Sequence, residues 1–203
     1  MPVITLSPQL LIQACSQLSH RVLSSGCTPS LLVGIRQGGA EVARLMRADF
    51  PEADYCEVQL SRPDTKQKGE GWTHRLLQRL PLWICDALRI VESRISEWHS
   101  RGTTPTRIGE IRLPAEIARM LDEATTAAKG GTAPVVLLID DAIDTGATIW
   151  QARRQLLEQH PRLDIRVAVI TVTTKQPMCD ADYCLYHNRT LCRFPWSNDY
   201  RGQ

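Results

Sequence analysis

The chain has 203 residues, a formal net charge of +2 and a sequence pI near 8.2. No apolar run reaches the roughly 18 residues that a membrane-spanning helix needs, and no basic stripe with interleaved aromatic residues marks a nucleic-acid surface. The length suits a single domain over 1–203 with a substantial buried core, and neither a membrane nor a nucleic acid is expected as a partner.

The cysteines and the N-terminal sequence favour the cytoplasm. Seven cysteines without paired spacing suit a reducing compartment better than a disulfide framework. The first residues lack the basic region, apolar core and cleavage site of a signal peptide. Zinc-type ligands occur at Cys179, Cys184, His187 and Cys192, but their spacing is not that of a tight Cys-x-x-Cys knuckle, so a zinc site is not favoured.

The first elements along the chain are a helix, a strand and a glycine-bearing loop. Residues 7–25 carry Ser7 at a cap position, Pro8 at the first helical position and apolar residues on one face, which predicts an amphipathic helix. The apolar run 31–35 predicts a short strand, and the loop 36–39 leads into a second helical pattern. Taken alone, this loop is typical of an ordinary strand-to-helix turn.

A polar stretch and a long helical stripe follow a strand predicted at 55–60. Residues 61–71 are polar, charged and glycine-bearing, which predicts a loop. A helix predicted over about 76–98 has apolar residues in steps of four and three. This stripe consists of Ile84, Leu88, Val91, Ile95 and Trp98. Its partner surface is left open by the sequence: the protein's own core, the helix predicted at 114–128, or a second copy of the chain.

The segment from Val135 to Thr148 is the most informative part of the chain. A returning strand is predicted at 110–113 and a turn at 129–134 before it. The run 135–139 has five apolar residues without polar alternation, which indicates a strand buried on both faces, as in a parallel sheet. Ligands of such sheets bind beyond the carboxyl ends of the strands, and the polar residues after this run lie at such an end.

The loop after this strand combines carboxylates with a turn suited to phosphate. Asp140 and Asp141 accept hydrogen bonds when ionised, which suits a vicinal diol or, through water, a hard cation such as magnesium. The turn offers a glycine bend, hydroxyls and main-chain N–H groups at a helix start. It comprises Asp144, Thr145, Gly146, Ala147 and Thr148. Together these features describe a ribose 5-phosphate site, in which Asp144 caps the helix or acts as a base; a plain strand-end turn with an N-cap is the alternative.

A further strand-like run, 166–173, ends just before Lys175. The lysine then lies at a strand end facing the same edge as the other loops. A cationic donor suits a carbonyl oxygen, and the aromatic face of Trp196 suits a flat base. For each residue singly, a solvated lysine or a tryptophan that fills the core is at least as consistent with the sequence.

The segment 139–148 resembles the 5-phosphoribosyl 1-pyrophosphate (PRPP) motif of type I phosphoribosyltransferases, with Asp140 where many members carry Glu and Ala142 where a larger apolar residue is usual. The resemblance implies an α/β fold: a twisted parallel sheet flanked by helices, a lid loop plus helical insertion at about 61–108, and a small hood from about 176–203. The resemblance is strongest at the PRPP loop, and the insertion is its largest departure from the family.

The resemblance also implies roles for individual residues. Asp140 and Asp141 would hold the ribose hydroxyls and Mg²⁺, and residues 144–148 would cradle the 5-phosphate. Asp144 would take or relay the nucleobase proton. The loop that contains Arg36, Gln37 and Gly38 resembles the pyrophosphate-binding loop of the family. From the predicted lid, Ser61, Arg62 and Lys66 would reach the diphosphate.

The C-terminal region resembles the short bacterial xanthine-guanine enzymes in particular. Lys175, the Asp-Tyr pair at 182–183 and the pair Pro195-Trp196 carry this likeness. It implies that Lys175 donates to the purine 6-oxo group and that Trp196 lies near the base. Those enzymes have a second aromatic residue where this chain has Leu191, and Phe194 is a candidate substitute.

The predicted function is a cytoplasmic, Mg²⁺-dependent transfer of the phosphoribosyl group from PRPP to a nucleobase, with release of pyrophosphate. A 6-oxopurine is the favoured acceptor, and a homodimer is expected from the family's habit. Three alternatives remain open: transfer to a pyrimidine or another acceptor, a regulatory protein that senses PRPP or nucleotides, and a hydrolase of a phosphoribosyl compound.

Overall fold

In the computed structural model of the protein, the described residues are 1–35, 37–60, 80–100, 111–127, 133–187 and 189–202, with side chains described to residue 95 in the third range and to residue 126 in the fourth. The strands are β1 (Val3–Thr5), β2 (Leu31–Ile35), β3 (Asp54–Val58), β4 (Val135–Ile143), β5 (Asp164–Val172), β6 (Tyr183–Tyr186) and β7 (Leu191–Arg193). The helices are α1 (Pro8–Ser24), α2 (Gly38–Met46), α3 (Leu82–Ser100), α4 (Ala115–Ala127) and α5 (Ala147–Gln159), with a 3₁₀ turn at Arg47–Asp49.

Five parallel strands form the central sheet in the order β3-β2-β4-β5-β6. Successive residues of β2 point to opposite faces: Leu31 and Val33 enter one core cluster and Leu32 enters the other. One core holds α4 and α5, and the other holds α1 and α2. The predicted parallel sheet with helices on both faces is therefore confirmed.

The first helix forms as the sequence predicts. The Ser7 side chain accepts a hydrogen bond from the Leu10 backbone N–H at 3.3 Å, and Pro8 occupies the first helical position, where its missing N–H is tolerated. Nearby, β1 and β7 pair in parallel and form a separate two-stranded sheet that ties the N-terminus to the C-terminal segment. None of the helices that the structure describes is long and apolar enough to cross a bilayer.

Several predicted element boundaries were wrong. Helix α3 begins at Leu82, after the non-helical residues 80 and 81, rather than at about 76, and β5 begins at Asp164 rather than at 166. Strand β4 continues through Ile143, because its ladder with β5 extends past Asp140 to Ala142 and Ile143. Strand β3 ends at Val58 rather than at 60. Residues 111–113 form no strand; the Ile111 backbone is held instead by side chains of α5, with its N–H donating to Gln155 Oε1 and its carbonyl accepting from Gln159 Nε2. The rest of the predicted 110–113 strand and most of the 129–134 turn lie outside the described residues.

The insertion helix α3 packs through a polar side and exposes an apolar one. Leu88, Val91 and Ile95 of the predicted stripe are about half exposed, so this part of the stripe does not enter the core of the chain. On the inner side, Cys85 is buried. Two further residues of α3, Asp86 and Arg89, form ion pairs with the C-terminal segment.

The ion pairs of α3 centre on Arg193 of β7, which is 3% exposed. Arg193 bonds Asp199 through Nε at 2.9 Å, Thr5 Oγ1 through Nη1 at 2.8 Å, and Asp86 of α3. Arg89 of α3 bonds the other Asp199 oxygen and the Cys192 carbonyl. We call Asp86, Arg89, Arg193 and Asp199 the ionic cluster; it fixes the insertion helix to the C-terminal segment.

Candidate functional site

The carboxyl ends of β2, β4 and β5 lie along one edge of the sheet, because the three strands are parallel neighbours. The loop before α2, the loop before α5 and the segment after β5 therefore meet at this edge. Each of the three carries residues that the sequence singled out. Arg36 and the predicted lid residues Ser61, Arg62 and Lys66 lie outside the described residues.

The turn between β4 and α5 has the backbone form of an anion site. Gly146 adopts φ +78°, a conformation that side chains with a Cβ rarely take, and its carbonyl accepts the Trp150 N–H of the first helical turn. A Cβ at Gly146 would also lie 2.9 Å from the Cys179 nitrogen. Gly146 has no side chain to cap α5, and the backbone N–H groups at the start of a helix are a common binding site for phosphate.

The loop is fixed by two contacts around Thr145. Its carbonyl accepts the Met178 N–H at 2.9 Å, and its hydroxyl accepts the Ala147 N–H at 3.3 Å. The 178–179 segment thus packs directly on the turn. Thr148 is half-buried in the first turn of α5. Residues 144–148 therefore form one preorganised unit.

The two aspartates at the end of β4 are crowded together. The Asp140 Oδ1 accepts the Asp141 N–H at 2.9 Å, and Asp141 Oδ2 accepts the Trp196 indole N–H at 2.9 Å. Burial raises the pKa of Asp140 well above its ordinary value, and the neighbouring Asp141 carboxylate raises it further. Burial also raises the pKa of Asp141, although the Trp196 hydrogen bond opposes this rise.

This donor set suits Mg²⁺. The two side chains supply hard carboxylate oxygens. A divalent cation would offset the cost of desolvating their negative charges, which is the main cause of the raised pKa values. Among the residues that the structure describes, no group of three His, Cys, Asp or Glu side chains could hold a metal by itself. A magnesium ion here would therefore take its remaining ligands from substrate and water.

The loop before α2 touches the aspartate pair. Gln37 is exposed at the start of α2. A Cβ on Gly38 would lie 2.0 Å from Asp141 Oδ2, and a Cβ on Gly39 would lie 2.4 Å from the Ile139 carbonyl oxygen. Only glycine allows the N-terminus of α2 to approach β4 this closely, so the two loops that the sequence proposed for pyrophosphate and ribose phosphate are in contact.

Asp144 has a partner that the sequence analysis missed. The Thr173 hydroxyl lies 2.9 Å from Asp144 Oδ1, and the Thr173 N–H donates to the Ile143 carbonyl at 2.9 Å. Thr173 follows β5 directly and is buried. The only sequence signal was a pair of threonines at a strand end, which by itself has no specific meaning.

Of the three residues predicted to contact a base, Phe194 and Trp196 lie together, but neither lines the cavity that Lys175 lines. Lys175 lines a cavity of about 650 Å³ beyond the end of β5. Phe194 is buried and stacks on Trp196, with ring centroids 5.0 Å apart and planes within 4°. Neither aromatic residue lines the Lys175 cavity. Two residues that do line it, His187 and Arg189, were not proposed from the sequence as base contacts.

No family model and no curated protein matches the chain at the level of sequence. Solved structures do match it. A purine phosphoribosyltransferase from Pyrococcus horikoshii superposes with a TM-score of 0.59 at 12% identity, covering 97% of this chain and 95% of that one. A Helicobacter pylori xanthine-guanine-hypoxanthine phosphoribosyltransferase gives 0.56 at 12% identity, covering 96% and 91%.

A third match is a hypothetical protein from Neisseria gonorrhoeae with bound ppGpp, with a TM-score of 0.56 at 16% identity, covering 96% of this chain and 89% of that one. These likenesses show that the chain has the type I phosphoribosyltransferase fold.

Proposed function

We propose that this chain is a Mg²⁺-dependent phosphoribosyltransferase that joins a nucleobase, preferably a 6-oxopurine, to C1 of PRPP and releases pyrophosphate. The observation that carries the proposal is the continuous arrangement along one sheet edge. The half-buried pair Asp140 and Asp141 is followed by the Gly146 turn and the N-terminus of α5, and Gly38 of the neighbouring loop abuts Asp141.

Each part of PRPP has a matching group in this arrangement. The ribose hydroxyls can donate to Asp140 and Asp141, and the 5-phosphate can accept from backbone N–H groups of 145–148. The diphosphate would lie over the loop at Gln37 and Gly38, with Arg36 as its cation. Mg²⁺ held by the two aspartates would stabilise the charge that develops on the leaving pyrophosphate.

The role of Asp144 follows from its fixed position. In the reaction a base nitrogen bonds to C1, the bond from C1 to the pyrophosphate oxygen breaks, and the proton on that nitrogen must leave. Asp144 can accept this proton, since the Thr173 hydroxyl fixes its carboxylate at the carboxyl end of β4. Removing the Asp144 charge should therefore lower kcat by a larger factor than it lowers the affinity for PRPP.

The acceptor assignment rests on Lys175 and on the fold neighbours. Lys175 is exposed in its cavity, where its ammonium can donate to an oxo group. Two of the matching structures are named as purine or xanthine-guanine-hypoxanthine enzymes. A pyrimidine or another acceptor is the alternative within the same chemistry, and cytoplasmic location and a homodimer stay predictions.

A second candidate is a regulatory protein that senses nucleotides through the same site. The ppGpp bound to the Neisseria gonorrhoeae protein favours it, because that neighbour has the same fold and a ligand with two diphosphates. The loops at Gly38 and Gly146 could receive such groups without any acceptor base.

The test is pyrophosphate release from PRPP and Mg²⁺ with hypoxanthine, guanine, xanthine, adenine, uracil and orotate offered one at a time. Turnover with a 6-oxopurine, lost in Asp144→Asn and kept in the control Asp54→Asn, whose exposed side chain lies at the opposite edge of the sheet, would support the enzyme. Submicromolar ppGpp or PRPP binding without turnover on any base would move the function to the regulatory candidate.

A further inference from the structure

The indole N–H of Trp196 donates to a carboxylate of the proposed PRPP site. Its nitrogen lies 2.9 Å from Asp141 Oδ2, although the two residues are 55 positions apart in the chain. A partly buried indole N–H needs an acceptor, and a backbone carbonyl would serve. The acceptor here is instead a side chain proposed to bind ligand, so the N–H can act on ligand binding through that side chain.

The ring of Trp196 is held by contacts with the protein. It stacks on the buried Phe194 ring, with centroids 5.0 Å apart and planes within 4°. It also packs against the core cluster that contains residues of α1 and α2. One face of the indole is therefore already covered by protein, and packing rather than a ligand sets the direction of its N–H.

The turn that carries Trp196 is closed by hydrogen bonds and anchored at both ends. The Phe194 N–H donates to Ser197 Oγ at 3.0 Å, and the Ser197 N–H donates to the Phe194 carbonyl at 2.9 Å. Phe194 belongs to the core, and Asp199 at the other end belongs to the ionic cluster. The turn therefore places the indole N–H in one position relative to β4.

Asp141 is confined on a second side by α2. A Cβ on Gly38 would lie 2.0 Å from Asp141 Oδ2, the oxygen that also accepts the indole N–H. This oxygen thus lies between the start of α2 and Trp196. Contacts from two separate elements fix the orientation of the carboxylate before any ligand binds.

We infer that Trp196 is a positioning residue, whose N–H holds the Asp141 carboxylate in the orientation that binds the ribose hydroxyls and Mg²⁺; this rests on the proposed function. Groups that hydrogen bond a metal-binding carboxylate orient it, and their removal typically lowers metal affinity by about 10–100-fold. The N–H therefore contributes to the binding of PRPP and Mg²⁺, whereas a tryptophan that stacks on the acceptor base would contribute to the binding of the base.

Trp196→Phe separates these two roles, because it keeps a flat ring beside Phe194 and removes the N–H. We expect its Kd for PRPP in the presence of Mg²⁺, measured by calorimetry, to rise about tenfold or more, with the KM for the acceptor base unchanged. Trp83→Phe makes the same chemical change at a side chain of α3 that is 70% exposed, and it should alter neither constant. The melting temperature of each variant establishes that it is folded.

A second measurement uses the wild-type protein alone. The indole proton of Trp196 gives its own NMR signal, and its position depends on the charge of the acceptor oxygen. Addition of PRPP and Mg²⁺ should shift this signal, because the cation draws electron density from Asp141. An indole that only fills the core would give a signal that PRPP and Mg²⁺ leave in place.

An unchanged Kd for PRPP in a folded Trp196→Phe protein, or an indole signal that does not move, would overturn the inference. If the wild type binds PRPP but turns over no base, the proposed transferase fails separately. The Kd for PRPP in the wild type and in Trp196→Phe then still decides the inference. A wild-type protein that does not bind PRPP refutes both.

Discussion

The close approach of α2 to β4 can be tested with Gly39→Ala. The added methyl group would lie 2.4 Å from the Ile139 carbonyl oxygen and 2.7 Å from the Asp140 Cα, whereas real Cβ contacts essentially never fall under 3.0 Å. Both neighbours are backbone atoms of the central strand, which pairs on both sides and cannot move alone. Helix α2 must therefore shift outward.

The size of the effect follows from two opposing contributions. Overpacking of this kind destabilises by about 1–3 kcal/mol, and the higher helix propensity of alanine offsets at most about 1 kcal/mol near a helix start. A net loss of about 1–2 kcal/mol corresponds to a fall of about 2–8 °C in Tm for a chain of this length. The shift would also separate the Gln37 loop from Asp141 and weaken PRPP binding.

Thermal unfolding followed by circular dichroism measures the first effect, and titration with Mg²⁺ and PRPP measures the second. Gly202→Ala is the matched control, because no atom lies within 4 Å of its added Cβ. Gly38→Ala should weaken PRPP binding with a smaller loss of Tm, since its clash is with the Asp141 side chain rather than with backbone. A Gly39→Ala protein that melts at or above the wild-type temperature would refute the proposed contact.

Three further predictions concern polar side chains of the candidate site and the ionic cluster. Asp140→Asn should raise the Tm of the ligand-free protein at pH 7 and abolish Mg²⁺-PRPP binding. The folded pKa of Asp140 is raised above its ordinary value of 3.8, so the stability of the wild type should fall as pH rises from 3.8 through the folded pKa. Melts recorded at several pH values should show a smaller fall in the variant. Arg193→Met should destabilise by about 3 kcal/mol in urea unfolding, because it strips a buried partner from Asp199, and a loss under 1 kcal/mol would contradict the ionic cluster. Thr173→Val should lower kcat about tenfold, the worth of one hydrogen bond to Asp144, with PRPP affinity nearly unchanged; unaltered kcat would show that this contact does not position the carboxylate.

The features that local sequence encodes were predictable. The apolar run of β4, the glycine turn and the start of α5 are contiguous, and each residue type has a local physical reason, so the strand, loop and helix emerged in the right order. The parallel sheet followed from the same run. The extension of β4 through Asp141 was missed because aspartate has low strand propensity, and only the ladder with β5 overrides it.

Contacts between distant parts of the chain were not predictable. Trp196 and Asp141 are 55 residues apart, and Thr173 and Asp144 are 29 apart, so no spacing rule connects them. The indole N–H of Trp196, which is predicted to lie near the base, donates to Asp141, which is predicted to hold the ribose hydroxyls, and no pattern in the sequence indicated this contact. Likewise, the hydrogen bond from the Thr171 hydroxyl to the Thr190 carbonyl joins residues 19 apart, next to Arg189 with its positive φ, and no local pattern predicts it.

The order of the central sheet has a consequence for how this chain can vary. Strand β2 pairs with β3 on one side and β4 on the other, so the chain between Val58 and Val135, which includes α3 and α4, is a crossover that connects two strands on opposite sides of β2. The entropic free-energy cost of closing such a crossover grows only with the logarithm of its length, by about 0.6 kcal/mol per doubling. A helix can therefore be gained or lost there at small energetic expense, while the strand ends on either side keep their spacing. Length differences among proteins of this fold should accumulate in this crossover, next to the candidate site but outside its geometry.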